Sequence, residues 1–273
     1  MALLLAACSA CSTGPLQPPE RLDLAKSIAA SGGLHMIRLP TTPPLVAAVS
    51  TVPVSSDLLT VYIEGDGFAW RTREWPSVDP SPLDPVALRL AAQHGPSAVA
   101  WLSRPCQYVD APASACPSTY WTSGRYGVAT TTLIHQALDE LKRQHHAKRL
   151  VLVGYSGGGT VAASVAAHRT DVDRLVTVAA NLDLDQWTQH HGLPFFPPEH
   201  NPANLKSLLG KLPQVHLVGL LDKVVPPSTV RAYAAHMDAP STIQIIEVAQ
   251  ADHTCCWADL WPELKRSALQ AAP

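Results

Sequence analysis

The chain has 273 residues, of which 47% are apolar and 15% are charged, and its formal net charge is −2. This length and apolar content are enough to bury one large core and exclude an intrinsically disordered chain. The sequence has no run of Lys and Arg and no acidic block, which argues against a nucleic-acid partner.

The first residues form a short apolar run that ends in Leu5-Ala6-Ala7-Cys8. This tetrapeptide resembles the bacterial lipobox, in which the cysteine is lipidated and becomes the mature first residue. The basic n-region and long apolar h-region of such signals are not present, and the run is too short to span a bilayer. We predict that residues 1–20 are a truncated lipoprotein-like signal and tether; an ordinary apolar N-terminus is the alternative.

Short apolar runs alternate with segments of helical periodicity along the rest of the chain. The run Leu58–Ile63 is almost entirely apolar, which is typical of a strand buried on both faces. The predicted strands are 34–39, 45–51, 58–63, 97–102, 149–153, 174–179, 215–220 and 242–248. The predicted helices are 85–94, 125–145, 160–168, 228–236 and 257–270.

This alternation predicts an α/β fold with a mostly parallel, doubly wound sheet. We expect residues 21–273 to form one domain, since the sequence shows no linker and no internal repeat. The stretch at about 181–212 is rich in Pro and aromatic residues and weakly periodic. It predicts a small cap-like insertion over the edge of the sheet.

The segment Gly154-Tyr155-Ser156-Gly157-Gly158 matches Gly-x-Ser-x-Gly between a predicted strand and a predicted helix. A tight strand-to-helix turn explains Gly154 and Gly158, because side chains there would collide with the turn. The following helix would direct its positive N-terminus at an oxyanion formed near Ser156. A phosphate-binding turn is the alternative, but Gly-x-Gly-x-x-Gly and a Walker lysine are both absent from the sequence. Ser156 is therefore predicted to be a nucleophile.

A serine hydroxyl needs a general base, and that base needs an orienting carboxylate. Asp222 directly follows the strand 215–220 and is the predicted acid, with Asp183 and Asp185 as alternatives after the preceding strand. Of the twelve histidines, only His253 lies between the last predicted strand and the last helix. The chain order Ser156, Asp222, His253 predicts a catalytic triad.

The loop after the strand 58–63 reads Glu64-Gly65-Asp66-Gly67-Phe68. An oxyanion hole is expected to use the N–H of Gly157 and one N–H from this loop. Asp66 is the predicted second donor, and Phe68, with Gly67 next in line, is the alternative.

With these residues placed, the chain resembles the α/β-hydrolase family over roughly residues 55–270, with Glu64 where that family carries His. It is also similar to a bacterial lipoprotein subgroup. The shared features are Glu-Gly-Asp-Gly at 64–67, Arg-Pro-Cys-Gln-Tyr at 104–108, Trp121, Arg125, Tyr126, Asn201-Pro202, and Cys255-Cys256-Trp257. The resemblance implies the α/β-hydrolase fold, the Ser-His-Asp triad and a place in the bacterial cell envelope.

Four cysteines remain once Cys8 and Cys11 are assigned to the tether, and four cysteines allow three pairings. A Cys106–Cys116 bridge would close a short loop, whereas a vicinal Cys255–Cys256 bridge would be unusual. Metal binding is the competing interpretation, although no pair among these four cysteines has the Cys-x2-Cys spacing of a zinc site.

These observations predict a serine hydrolase of the carboxylesterase, lipase or thioesterase type that works through an acyl-enzyme without metal or cofactor. We expect a monomer that acts on a small-molecule or lipid-like acyl substrate. It would be tethered on the periplasmic side of the envelope through lipidated Cys8, or else secreted. An envelope peptidase or acyltransferase and a catalytically idle ligand-binding lipoprotein are the alternatives.

Seven aromatic residues lie in segments that are candidates for an acyl pocket, and packing in the core is the alternative use of their side chains. They are Trp70, Trp75, Tyr120, Trp121, Trp187, Phe195 and Phe196.

Overall fold

The apolar runs of the sequence form the strands of one sheet in the computed structural model, which describes residues 15–51, 56–110, 115–238 and 242–270. The strands in this part of the chain are β1 Leu34–Arg38, β2 Val46–Ser50, β3 Leu58–Ile63, β4 Val99–Leu102, β5 Arg149–Tyr155, β6 Val172–Val178, β7 Gln214–Gly219 and β8 Ile243–Val248. Cys8, the predicted lipidation site, and Cys11 lie outside the described residues.

The strand order in the sheet is β1-β2-β4-β3-β5-β6-β7-β8. β2 pairs antiparallel with β1 and β4, and the pairs from β4 to β8 are parallel. The mostly parallel sheet predicted from the alternation of elements is therefore confirmed. Because all the parallel strands end at the same edge, the loops after β3, β5, β6, β7 and β8 converge there.

Helices cover both faces of the sheet, as the pattern predicts. The helices of the described residues are α1 Pro18–Ser31, α2 Val86–Ala92, α3 Val128–His145, α4 Gly157–Ala166, α5 Leu184–His191, α6 Lys206–Leu209, α7 Pro227–His236 and α8 Trp257–Leu269. Core residues of α3, α4 and α7 pack on one face, and those of α1, α2 and α8 pack on the other. Alternate residues of β3 go to opposite faces, with Val61 in the first cluster and Tyr62 in the second.

Two segments differ from their sequence-based description. The helix α1 begins at Pro18, inside the segment predicted as tether, because proline is compatible with the first turn of a helix. Within the predicted cap, Leu184–His191 forms the regular helix α5, whose start is capped by the Asp183 carboxylate. No helix among the described residues is long and apolar enough to cross a membrane.

Both cysteine pairs that the sequence left open are close in space. Cys106 and Cys116 form a disulfide across Cα atoms 5.7 Å apart. Cys255 and Cys256 are neighbours in the turn before α8, and their sulfur atoms lie at bonding distance.

Candidate active site

Ser156 occupies the turn between β5 and α4, with φ 51° and ψ −126°. Positive φ is unfavourable for a serine, so the flanking contacts must hold the turn. A Cβ atom on Gly154 would lie 2.4 Å from the Cα of Gly159, and one on Gly158 would lie 2.4 Å from the carbonyl oxygen of Ile63. The collision with the turn that was inferred for both glycines is confirmed for Gly154, whereas a side chain at Gly158 would collide with the end of β3.

Ser156, His253 and Asp222 lie in a row of hydrogen bonds at the carboxyl edge of the sheet. The Ser156 Oγ and His253 Nε2 atoms are 3.0 Å apart, and His253 Nδ1 and Asp222 Oδ2 are 2.9 Å apart. An ionised carboxylate only accepts hydrogen bonds, so Nδ1 carries the hydrogen and the lone pair of Nε2 faces Ser156. The structure thus brings together the three residues that the sequence predicts as the triad.

The Asp222 carboxylate is held on its other side by two main-chain groups. Asp222 Oδ1 accepts the N–H of Val224 at 2.8 Å and the N–H of Val225 at 2.7 Å. The Asp222 side chain is fully buried, so its orientation toward His253 is fixed.

The alternative acids predicted from sequence lie elsewhere. The Asp183 side chain accepts the N–H of Gln186 at 3.1 Å and caps α5. Asp185 is exposed in the first turn of the same helix. Neither carboxylate hydrogen bonds to His253, so the geometry selects Asp222.

The main chain of His253 helps to attach its loop to the neighbouring elements. The His253 carbonyl oxygen accepts the Tyr155 hydroxyl at 2.9 Å and the Trp257 indole N–H at 3.2 Å. Tyr155 precedes Ser156, so this contact ties the histidine loop directly to the nucleophile turn.

The loop after β3 carries the main-chain N–H groups that the sequence suggests as second donor of an oxyanion hole. The N–H of Phe68, the alternative donor, already donates to the Pro80 carbonyl at 3.0 Å. The N–H of Asp66 has no acceptor among the described residues, and Gly157 is the first residue of α4, whose N–H has no intrahelical partner. The hydrogen bond of Phe68 argues against that alternative, the N–H of Gly67 likewise has no acceptor among the described residues, and Asp66 and Gly157 stay the predicted donor pair.

Glu64 anchors this loop from behind. Its buried carboxylate accepts four hydrogen bonds, from the N–H groups of Gly65, Ala87 and Leu88 and from the Trp101 indole, at 3.0 to 3.3 Å. Burial raises the pKa of Glu64 to about 7, and the four donors oppose that rise. Glu64 thereby joins the oxyanion loop to α2 and β4.

The Asp66 carboxylate sits at the centre of a buried cluster beside the nucleophile turn. It contacts Arg104 Nη1 at 3.1 Å and Arg125 Nε at 2.9 Å, and it accepts the Tyr126 hydroxyl at 2.7 Å. Burial raises the pKa of Tyr126 to about 12, and the negative charge of Asp66 adds to the rise, so the phenol stays protonated. A Cβ atom on Gly157 would lie 2.1 Å from Asp66 Oδ1, which shows how closely the carboxylate covers this turn.

A cavity of about 1060 Å³ opens over Ser156 and Gly157. Of the aromatic residues considered above, Trp70, Trp187, Phe195 and Phe196 line it. Trp75 is exposed outside it, whereas Trp121 is buried in a small core cluster with Tyr120 packed against that cluster. The cap is tied to the acid loop, because the Trp187 indole N–H donates to the Val224 carbonyl at 2.7 Å.

Comparison with known proteins gives no match in sequence but clear matches in structure. No family model matches the chain, and no curated protein matches it in sequence. An α/β serine hydrolase homologue from Coxiella burnetii superposes with a TM-score of 0.56 at 15% identity, over 86% of this chain and 95% of that one. An esterase domain from Rhodothermus marinus gives 0.57 at 15% identity, over 86% and 97%.

A third similar structure is Est1E from Butyrivibrio proteoclasticus with ferulic acid bound, with a TM-score of 0.53 at 12% identity, over 83% and 96% of the two chains. The chain has the α/β-hydrolase fold. The fold predicted from the sequence resemblance is thereby confirmed, and the lipoprotein subgroup stays a prediction.

Within this α/β-hydrolase fold, sequence reasoning missed two parts of the site. It noted Arg104, Arg125 and Tyr126 only as shared residues, whereas the structure joins them to Asp66. It also passed over Asn181, a buried cavity-lining residue whose side-chain amide has no hydrogen-bond partner among the described residues. Asn181 could have been found from the sequence because it follows the predicted strand 174–179, and site residues of this fold lie at the carboxyl edge of the sheet.

Proposed function

We propose that the protein is a serine hydrolase that cleaves an acyl ester or thioester through a covalent acyl-enzyme. The observation that carries this proposal is the continuous hydrogen-bonded row of Ser156, His253 and Asp222 next to an unfavourable positive-φ turn. Structural relatives described as a serine hydrolase homologue and an esterase domain support it.

In the acylation step, Ser156 Oγ attacks the carbonyl carbon of the substrate while His253 Nε2 takes the serine proton. Asp222 stabilises the imidazolium that forms and keeps the ring oriented. The tetrahedral intermediate then collapses, the bond to the alcohol or thiol breaks, and His253 returns the proton to that leaving group.

In the deacylation step, His253 takes a proton from a water molecule, whose oxygen attacks the acyl carbon of the Ser156 ester. Collapse of this second intermediate releases the carboxylic acid and restores the serine hydroxyl with the proton from His253.

The main-chain N–H groups of Asp66 and Gly157 would donate to the oxyanion in both steps. A carboxylate beside an oxyanion is unfavourable by itself, since like charges repel. Arg104 and Arg125 both contact the Asp66 carboxylate, so the three side chains together have a net positive charge, which would offset this repulsion. These contacts also fix the position of Asp66, and Arg104 and Tyr126 are therefore positioning residues.

Labelling with a fluorophosphonate tests this function. The wild-type protein should be labelled, whereas Ser156→Ala and His253→Ala should not. Ser164→Ala is a matched control, because Ser164 is a buried serine of α4 whose hydroxyl donates to the Thr160 carbonyl. Labelling that persists in folded Ser156→Ala would exclude the proposed nucleophile. Esters, thioesters and amides of graded acyl length then separate esterase from thioesterase and peptidase activity.

We also propose an envelope location, supported by the lipobox-like sequence at Cys8 and by the Cys106–Cys116 disulfide, which is typical of oxidising compartments. Mass spectrometry of the N-terminal peptide should show a lipidated Cys8. An unmodified Met1 in the mature protein would refute this proposal.

A further inference from the structure

The charged side chains that line the cavity are mostly cationic. Arg73, Arg125 and Lys223 line it, and Asp66 is the acidic residue among its lining residues in the described chain. The whole chain carries a formal net charge of −2, so a cationic lining is not a general property of this protein.

The one lining carboxylate is already neutralised. Asp66 contacts Arg125 and also Arg104, whose side chain is only 4% exposed. Two guanidinium groups on one carboxylate leave the base of the cavity positive rather than negative.

The two remaining cations have their charges free for a ligand. Arg73 and Lys223 are exposed, and neither forms an ion pair with a described residue. Glu74, which follows Arg73 along the chain, is exposed, lies outside the cavity lining and forms no ion pair with Arg73 in the described chain, and the acids near Lys223 have other partners. Asp222 hydrogen bonds to His253, and Asp252 accepts the N–H groups of Thr254 and Cys255.

The uncharged part of the lining is mostly apolar, with Trp70, Trp187, Phe195 and Phe196 as its largest members, and it also includes polar residues such as Thr72, Ser123 and Asn181. Low-dielectric walls concentrate the field of nearby charges and raise the local concentration of a ligand of opposite sign. The cavity therefore combines an apolar surface with a positive potential.

We infer that the natural substrate is an ester with an apolar or aromatic body and an anionic group, such as a carboxylate, sulfate or phosphate. This inference rests on the proposed ester hydrolysis at Ser156 and specifies its substrate class. Arg73 and Lys223 bind or attract the anionic group, and the aromatic residues contact the body.

Two pairs of chromogenic esters test the inference at both ends of the substrate. The first pair is para-nitrophenyl heptanoate and the singly charged para-nitrophenyl monoester of pimelic acid. The second pair is the butanoyl esters of a hydroxynitrobenzoate and of the matching neutral hydroxynitrobenzamide. The measured quantity is the anionic-to-neutral ratio of kcat/KM at low ionic strength.

We expect the wild-type protein to prefer the anionic member of at least one pair. Arg73→Glu or Lys223→Glu should lower that ratio about tenfold, since each reversal changes the local charge by two units. The effect should shrink in high salt. Lys211→Glu is the matched control, because Lys211 is exposed, lies outside the cavity and has no ion-pair partner among the described residues.

A wild-type ratio near one in both pairs, or an equal fall in Lys211→Glu, would overturn the inference. Calorimetric binding of the same esters to Ser156→Ala separates it from the proposed function. If the wild-type protein hydrolyses no ester but Ser156→Ala still binds the anionic ester more tightly, the hydrolase proposal fails and the anion preference stands. If both neutral and anionic esters are hydrolysed and bound alike, only the anion preference fails.

Discussion

Asp222→Asn is the substitution whose effect the structure specifies most closely. The carboxylate uses its Oδ1 atom for the N–H groups of Val224 and Val225 and its Oδ2 atom for His253. An asparagine keeps its carbonyl oxygen toward the two N–H donors and turns its NH2 group toward His253. The imidazole must then accept at Nδ1 and carry its hydrogen on Nε2, where it cannot take the proton of Ser156.

The magnitude follows from the two main-chain donors. The productive orientation requires the amide to flip, which leaves two buried N–H groups unpaired at about 1–3 kcal/mol each, or about 2–6 kcal/mol in total. Each 1.4 kcal/mol is a factor of ten, so kcat should fall between about 30-fold and 10⁴-fold. Replacing the acid of a Ser-His-Asp triad by asparagine lowers kcat about 10⁴-fold in a serine protease, at the upper end of this range.

The assay is kcat on a short-chain para-nitrophenyl ester, with thermal unfolding to show that the variant is folded. Asp183→Asn is the matched control: Asp183 is also a buried aspartate with a main-chain N–H partner, and asparagine caps a helix equally well. A folded Asp222→Asn variant that keeps more than a tenth of kcat would refute the reasoning. So would an equal loss in Asp183→Asn, which would instead point to the alternative acid.

Three further predictions concern the surroundings of the site. Gly157→Ala places a methyl group against the Asp66 carboxylate and should lower kcat about 100-fold through a displaced oxyanion donor; unchanged kcat would contradict that contact. Because the pKa of Glu64 is raised to about 7, the folded state binds the Glu64 proton more tightly than the unfolded state does. The stability gained from this proton is complete below pH 4.5 and is lost as the pH rises through 7. Across this pH range, urea unfolding should show that the free energy of unfolding of the wild type falls by about 3 kcal/mol relative to that of Glu64→Gln. Parallel dependences of the two free energies on pH would refute the prediction. Replacing Cys106 and Cys116 together by Ala should remove about 3 kcal/mol of unfolding free energy, and denaturant unfolding that shows no loss would contradict a closed loop.

Much of the candidate site could be predicted because its parts are short and local in sequence. A buried strand, a glycine-rich turn and a small-residue helix follow one another around Ser156, and this pattern specifies the turn before any long-range contact is known. Asp222 and His253 each follow a strand of a mostly parallel sheet. Since such strands end at one edge, chain order indicated that His253 meets an acid at this edge, with Asp222 preferred over Asp183 and Asp185.

Other features required the path of the chain in space. Asp66 follows β3, Arg104 follows β4, and Arg125 and Tyr126 precede α3, so no periodicity connects them. They form one cluster because β3 and β4 are neighbours in the sheet and the segment before α3 folds back over their ends. A pattern of residue types cannot show such a meeting of loops.

The sequence by itself determined the fold class, the turn at Ser156 and the order of the predicted triad, because strand and helix periodicity and steric limits on a turn are local properties. Only the tertiary structure decided between Asp222 and the alternatives Asp183 and Asp185, and which aromatic and cationic side chains surround the substrate cavity. Those outcomes depend on which loops the sheet order brings together and on how the cap packs over them, and both are long-range properties of the folded chain.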